Sequence, residues 1–393
     1  MRLIAKFGGT SVADGPRIDR AAASAAAAVE AGHQMAVVVS AMGKTTDELL
    51  SEITFEATER DRAEIVSMGE RTSVRMLKGA LEARGVEAIF LEPGREGWPI
   101  ITDEYGEVDV EETRRRVSWC LERMAEGVVP VITGFLAQDR EGRITTLGRG
   151  GSDTTAVMLG NYMDADAVAI VTDVEGVMTA DPTVVEGARN VGEITVDELR
   201  SLSFRGAEVV APSALAYKTA DLDVRVVHHQ HGDLLTGGTR VEGEFETLVD
   251  LQERRLVCLT VAGRAIRNQP GVLAALSAAL GEAGINVETV SSGMDSVSFY
   301  LEEGKGKEAE TLLHDEVIGD DALSSVTVEQ GLAVVRVAGG EFEQRTGAVQ
   351  QVLEPLEAER IYLHDVVTSA SSVSVFVDWE DRERALELVR GVF

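Results

Sequence analysis

The feature that most constrains this chain is an alternation running through roughly its first 240 residues. Short apolar runs at 2–7 (RLIAKF), 35–40 (MAVVVS), 86–91, 128–133, 167–172 (AVAIVT) and 224–228 are separated by stretches of helical periodicity. Uninterrupted apolar runs suit strands that are covered on both faces. Strands interleaved with helices build a mostly parallel sheet. Helices are expected from Pro16 to about residue 31, from Asp47, over 61–84 and 109–126, after a turn at 145–153, and near 195–203 and 207–220. In open sheets of this kind ligands bind beyond the carboxyl ends of the strands. Four strand ends run into polar or glycine-rich turns: 6–11, 40–46, Gly134 with the segment after it, and 172–182.

The richest of these segments is 145–155, TTLGRGGSDTT, followed at once by the apolar run 156–159. Ser152 or Asp153 is a natural N-cap for the helix implied there. A glycine-rich turn opening onto a helix N-terminus is ready to bind an anion. Arg149, inside the turn, offers a planar fork for a carboxylate or phosphate. Lys6 is one of only six lysines and ends the first strand beside Gly8 and Gly9. A lysine there is placed to meet a phosphate, helped by glycine N–H groups. Glu70 follows Gly69, a residue expected to let a ligand approach, within a helix whose charges otherwise read as a solvated face. Thr172 and Asp173 end an apolar strand, where a nucleotide or metal contact and a plain Asp turn all fit. His228, His229 and His231 cluster at a strand exit, but their spacing matches no zinc pattern, so they read as a polar exit with no metal. No GxxxxGK[ST] and no GxGxxG after the first strand occur.

Charge narrows the partners. The chain carries 67 acidic and 37 basic residues, a formal net charge of −30. That field repels nucleic acid and anionic membranes, and any phosphate site needs its own local positive charge. Such acidity, spread over the whole chain, fits a high-salt habitat where self-repulsion is screened. The melting temperature should then rise with KCl, and full stability at low salt would contradict the idea. No apolar stretch is long enough for a membrane span, and the N-terminus has no signal-peptide pattern. Cys120 and Cys258 are the only cysteines. No disulfide framework is expected, and a cytoplasmic location follows.

Composition shifts at 242–254 (EGEFETLVDLQER), which reads as a linker. Beyond it comes strand 257–262, helix 270–283, strands 285–291 and 297–301, helix 305–316 and strand 326–329. A second round follows: strand 332–337, helix 345–358, strands 360–367 and 372–378, helix 381–392. This weak repeat of about 70 residues resembles two βαββαβ units.

Together these segments resemble the aspartate kinases of the amino-acid kinase family. KFGGTSV (6–12), VVVSAMGKTTDEL (37–49), MGERTS (68–73), TTLGRGGSDTTA (145–156) and TDVEGVMTADP (172–182) stand in that family's order and spacing. The resemblance implies a three-layer αβα kinase domain with a mostly parallel sheet at 1–245. Two α+β ferredoxin-like ACT domains are implied at 256–330 and 331–393. It implies phosphorylation of the L-aspartate β-carboxylate by ATP with Mg²⁺, at the head of the lysine, threonine and methionine branch. By motif position, Lys6 would neutralise the transferring phosphoryl group, with Gly8 and Gly9 donating N–H groups. Arg149 would clamp the aspartate α-carboxylate and Glu70 its α-ammonium. Ser40, Ala41, Thr46, Gly150, Gly151 and Ser152 would line the substrate pocket. Asp153, with Ser152, would orient Lys6 or the phosphates. Thr172, Asp173, Met178, Asp181, Pro182 and Thr183 would hold the nucleotide. A homo-oligomer paired through ACT edges is implied, and no dehydrogenase extension is expected after residue 393.

The chain departs from the family pattern at several points. Met178 stands for a common aromatic, Thr183 for arginine, and Gly206-Ala207-Glu208 for GAK, so two positive nucleotide contacts are missing; Lys218 is a candidate substitute. A lysine or threonine effector would meet Asn268, Gly271, Asn286, Val287 and Glu288, with Asn268 where the family has Asp. In the second unit, Thr368-Ser369-Ala370 replaces TSE and Ile361-Tyr362 stands in the NI segment. The alternatives are another amino-acid kinase, for example one acting on glutamate, and a non-catalytic amino-acid-binding regulator.

Overall fold

The structure, a computed structural model, describes residues 1–103, 106–203, 209–244, 248–264, 266, 269–339, 347–369 and 372–392. The chain forms two compact units, Met1–Phe245 and Glu246–Phe393.

The first unit contains strands β1 (Arg2–Phe7), β2 (Gln34–Val39), β3 (Ala88–Leu91), β4 (Ile101–Thr102), β5 (Val129–Thr133), β6 (Leu136–Asp139), β7 (Ile144–Thr146), β8 (Ala167–Thr172), β9 (Glu193–Thr195), β10 (Asp223–His228) and β11 (Thr239–Glu242). Its helices are α1 (Gly15–Glu30), α2 (Thr45–Glu52), α3 (Glu59–Glu82), α4 (Val110–Ala125), α5 (Gly151–Tyr162), α6 (Val196–Ser203) and α7 (Pro212–Leu215). Eight strands form one sheet in the order β3-β5-β2-β1-β8-β10-β11-β9. Only β10 and β11 pair antiparallel among the described pairs of that sheet.

The apolar runs explain the layering. Alternate side chains of one strand point to opposite faces. On β1, Leu3, Ala5 and Phe7 join a core with Ile18 and Ala22 of α1 and Leu77 of α3. Ile4 instead joins a core with Cys120 of α4 and Val157 of α5. The sheet is therefore covered on both faces, giving the expected αβα sandwich. β1 lies at the centre. The chain moves from β1 to β2 on one side, and later from β8 to β10 on the other. The carboxyl ends of β1 and β8 thus flank a topological switch point, where open α/β sheets bind ligands.

The structure corrects several local expectations. The helix expected over 207–220 is a single turn, Pro212–Leu215, among the described residues. Helix α1 starts at Gly15, one residue before Pro16, and is capped by Asp14. Neither Ser152 nor Asp153 caps α5. The cap is Gly150 at φ +69, and Ser152 and Asp153 lie in the first turn.

The second unit is one antiparallel sheet serving two modules. It contains β12 (Leu248–Leu251), β13 (Leu256–Ala262), β14 (Thr289–Ser292), β15 (Ser296–Glu302), β16 (Ser325–Ala338), β17 (Leu363–Thr368) and β18 (Ser372–Asp378). Helices α8 (Val272–Glu282), α9 (Gly306–Gly319), α10 (Ala348–Ala358) and α11 (Arg382–Arg390) cover two separate cores. The strand order is β14-β15-β13-β16-β18-β17, with β12 also paired to β16. The runs expected as separate strands at 326–329 and 332–337 are one 14-residue strand, β16. Its first half pairs with β13 and its second half with β12 and β18. The segment read as a linker therefore supplies β12, whose Val249 enters the core of the second module. The first module is inserted between β12 and the remainder of the second. Charged neighbours in EGEFETLVDLQER mask the short, mostly apolar run LVDL.

Among the described residues no helix is long and apolar enough to cross a membrane. Both cysteines are free and buried.

Candidate active site

A cleft of about 530 Å³ opens at the carboxyl ends of the central strands. It brings together Lys6, Ser40, Ala41, Thr46, Glu70, Arg149, Gly150, Gly151, Ser152 and Asp153, all singled out from the sequence. The chain segments that supply them are far apart, and parallel pairing aligns their ends: Lys6 lies opposite Val38 of β2 and Ile170 of β8.

Lys6 points to the α5 side of the sheet. Its Nζ lies 2.6 Å from Asp153 Oδ1, and each side chain is only 12% exposed. Asp153 Oδ2 accepts a bond from the Ala211 N–H at 3.1 Å. The ion pair therefore joins the end of β1 to the first turn of α5. Around it lie several backbone N–H groups. Those of Gly150 and Ser152 at the α5 N-terminus, and that of Gly9, have no acceptor among the described residues. Free N–H groups at a helix start, beside a cation, attract phosphate. Gly8 departs from expectation here: its N–H is consumed by Val171 O at 3.1 Å.

Glu70 sits across the cleft on α3, 3% exposed. Its Oε1 accepts from the Ala41 N–H at 3.3 Å and from the Thr46 hydroxyl at 3.5 Å. Its Oε2 is buried with no hydrogen-bond partner among the described residues. Burial pushes the carboxyl up to about 7, with these hydrogen bonds opposing the shift. Gly69 serves Glu70 differently from the sequence expectation. A Cβ at residue 69 would lie 2.7 Å from the Ala41 Cβ. The missing side chain lets α3 close on the Ala41 turn, rather than making room for a ligand. Arg149 is exposed at the mouth and makes no ion pair with any described residue.

The cleft also includes Phe135, Thr146, Asp47 and Leu50, which sequence reading missed. Phe135 has φ +67, a conformation a bulky residue adopts only when its surroundings impose it. Its position directly after Gly134 at a strand end was the available signal.

The candidates for the nucleotide side from Thr172 to Thr183 lie at the end of β8 and on the loop after it, and do not line this cleft. Thr172 donates to Asp173 at 3.3 Å. Asp181 Oδ1 accepts from both the N–H and the hydroxyl of Thr183, at 2.8 and 2.6 Å, which holds its carboxyl below the usual range. Thr183 thus closes a local turn with Asp181. Met178 bridges to Asn190, and Pro182 follows Asp181 in the same exposed turn. Lys218 is not a free substitute cation. Its Nζ is buried and donates to Thr219 O and Gly243 O, both at 2.7 Å. Residues 206–208 lie outside the described residues, as do Asn268 and Ala370. In the second unit, Gly271 caps α8 at φ +94. Asn286 donates to Glu288 at 3.2 Å, beside the half-buried Val287.

The amino acid kinase family model matches residues 1–228, and an ACT domain model matches 259–317. An aspartokinase of Geobacillus stearothermophilus is 33% identical over 100% of this chain and 97% of its own length. The aspartate kinase structure from Synechocystis superposes with a TM-score of 0.77 at 27% identity, covering 99% of this chain and 69% of its own. E. coli aspartokinase III in complex with aspartate and ADP gives 0.55 at 26% identity over the whole of both chains. Its complex with lysine and aspartate gives 0.53 at 27%, covering 100% of this chain and 99% of its own. With the family model matching more than half of the chain and a curated aspartokinase one-third identical over all of it, the chain belongs to the aspartokinases of the amino acid kinase family.

Proposed function

We propose that this chain transfers the γ-phosphoryl group of ATP to the β-carboxylate of L-aspartate, at the head of the lysine, threonine and methionine branch. The observation that carries the reading is the unpartnered Oε2 of Glu70, buried in the same cleft as Arg149 and Lys6. An orphaned buried carboxylate oxygen is costly, and an incoming ammonium relieves that cost. Glu70 thus holds the substrate's α-ammonium and Arg149 its α-carboxylate. The β-carboxylate is left to face the Lys6 end of the cleft.

The attacking group is already ionised at neutral pH, so no general base is required. Catalysis rests on positioning and on stabilising charge. Lys6 neutralises the transferring phosphoryl group while Asp153 holds its ammonium in place. The N–H groups of Gly9, Gly150 and Ser152 share the phosphate charge. Ser40, Ala41, Thr46 and Gly151 shape the substrate side. The loop carrying Thr172, Asp173, Met178, Asp181, Pro182 and Thr183 receives the nucleotide. The free N–H groups and the lysine fit a nucleotide phosphate, whose remaining charge Mg²⁺ would screen when it accompanies the nucleotide.

The second module, made of β12 and the elements from the second half of β16 onward, is read as another ACT domain. Its strand order, β12-β16-β18-β17, repeats that of the first module, β16-β13-β15-β14, with β12 in the place of the closing strand. Lysine or threonine is the proposed effector, and edge pairing of these modules makes a homodimer the proposed assembly. Light scattering that finds only monomer would remove that last element.

The deciding assay couples ADP release to Mg-ATP with L-aspartate, L-glutamate or no amino acid, in multi-molar KCl. Aspartate-dependent turnover is expected, and equal ADP release in all three arms would overturn the assignment. Arg149→Ala is expected to raise the aspartate KM by about 30-fold or more, the scale of losing a charge partner. Its ATP KM should stay within a few-fold, and a larger effect on ATP than on aspartate would reassign Arg149 to the phosphates.

A further inference from the structure

We infer that Glu175, His228 and His231 form a binding site for a divalent transition metal such as zinc, fastening the loop after β8 to the exit of β10. Donor atoms from all three side chains lie within 4.8 Å of one another. None of the three lines the cleft described above.

The fold builds this convergence in three steps. Strands β8 and β10 run parallel, with His228 opposite Thr172. Beyond β10 the chain turns, His231 N–H bonding to His228 O at 3.1 Å. That turn brings the two imidazoles edge to face, with centroids 5.8 Å apart. The loop after β8 then returns Glu175 over them. Gly176 makes the return possible: at φ +115, a Cβ would lie 2.9 Å from Thr239 N. The Asn190 side-chain amide donates to Glu175 O and anchors its backbone. His229 is not among the converging donors; its N–H and Nδ1 both engage Thr172 O, at 2.8 and 3.1 Å.

The donors suit a borderline metal. His231 Nε2 lies 2.6 Å from Glu175 Oε2, and His228 Nδ1 lies 3.8 Å from Glu175 Oε1. The first distance is a hydrogen bond, but the second is too long for one, so simple pairing accounts for only two of the three groups. A tetrahedral ion with bonds near 2 Å separates its ligands by about 3.3 Å, which small side-chain rotations reach. Two contacts are displaced, the 2.6 Å His231–Glu175 hydrogen bond and a 3.2 Å bond from the Gln230 N–H to His228 Nδ1. Two imidazoles and a carboxylate favour zinc, nickel or cobalt over Mg²⁺, which prefers oxygen ligands. Glu175 and His231 are half exposed, 53% and 46%, while His228 is 12% exposed. Solvent therefore reaches a fourth coordination position, and the −30 net charge favours cation entry.

The test is independent of the kinase reading. Tag-free full-length protein, stripped with chelator, is titrated with Zn²⁺ by calorimetry in excess Mg²⁺. One equivalent is expected at micromolar affinity or tighter, with visible absorption bands when Co²⁺ replaces zinc. His231→Gln should weaken binding at least tenfold and abolish the Co²⁺ bands. His364→Gln, altering a histidine held between Glu329 and Asp378 in the second unit, should leave both unchanged. Absence of saturable binding to the wild type would overturn the proposal. So would an undiminished equivalent in the folded double variant His228→Gln/His231→Gln.

Discussion

Lys6→Ala should lower kcat for aspartate phosphorylation by about 10³-fold or more, the scale for losing a charge aimed at a transferring phosphoryl group. Lys6 is a buried cation at the carboxyl end of the central strand, 2.6 Å from Asp153. The effect should fall on kcat rather than on the ATP KM, because its ammonium matters most as charge shifts during transfer. The substitution also strands a carboxylate. Asp153 is 8% exposed, and removing one partner of a buried pair costs about 3–5 kcal/mol. A lowered melting temperature in the single variant is therefore expected, and on its own would confuse stability with catalysis. The double variant Lys6→Met/Asp153→Asn separates them, since it removes both charges. It should recover much of the melting temperature while turnover stays lost. A folded variant lacking Lys6 that keeps kcat within tenfold of wild type would remove Lys6 from the reaction.

The second large effect belongs to Glu70. Glu70→Gln should raise the aspartate KM by about 30-fold to several thousand-fold, equivalent to about 2–5 kcal/mol, with little change in the ATP KM. Equal changes in both would refute the assignment. Burial raises this carboxyl from 4.5 to about 7, which gives the prediction a pH signature. A raised acid stabilises the fold while protonated, and that contribution is lost as pH rises through about 7. At pH 8 the ligand-free protein thus carries an ionised, half-satisfied carboxylate, a cost of about 3 kcal/mol. Glu70→Gln should accordingly melt higher than wild type at pH 8 without substrate, and the difference should vanish near pH 5. Aspartate binding needs the ionised form, so the wild-type aspartate KM should fall between pH 6 and 8. A KM that is equally pH-dependent in the Gln variant would place the titration elsewhere.

Much of the site was legible because its signals are local. A strand ending in Lys6, a glycine turn holding Arg149, and a helix with Ser152-Asp153 in its first turn each announce themselves within a few residues. Their partners do not. Which group Lys6 would meet, and that Glu70 would be buried rather than solvated, depends on α5 and α3 packing against opposite faces of one sheet. The role of Gly69 was misjudged for the same reason: the atom that needs the space belongs to Ala41, 28 residues away in sequence. Gly8 was misjudged because a parallel neighbour, Val171, takes its N–H.

The layered α/β class, the repeat in the second half and the strand ends at which chemistry gathers all follow from the order of the amino acids. Hydrophobic period and glycine placement encode those properties directly. Folding is what selects the strand ends that meet, completes the second module with β12 from before the first, and closes Glu175 on two histidines more than 50 residues downstream. These are long-range pairings, set by the packing of whole sheets rather than by any residue's own neighbours.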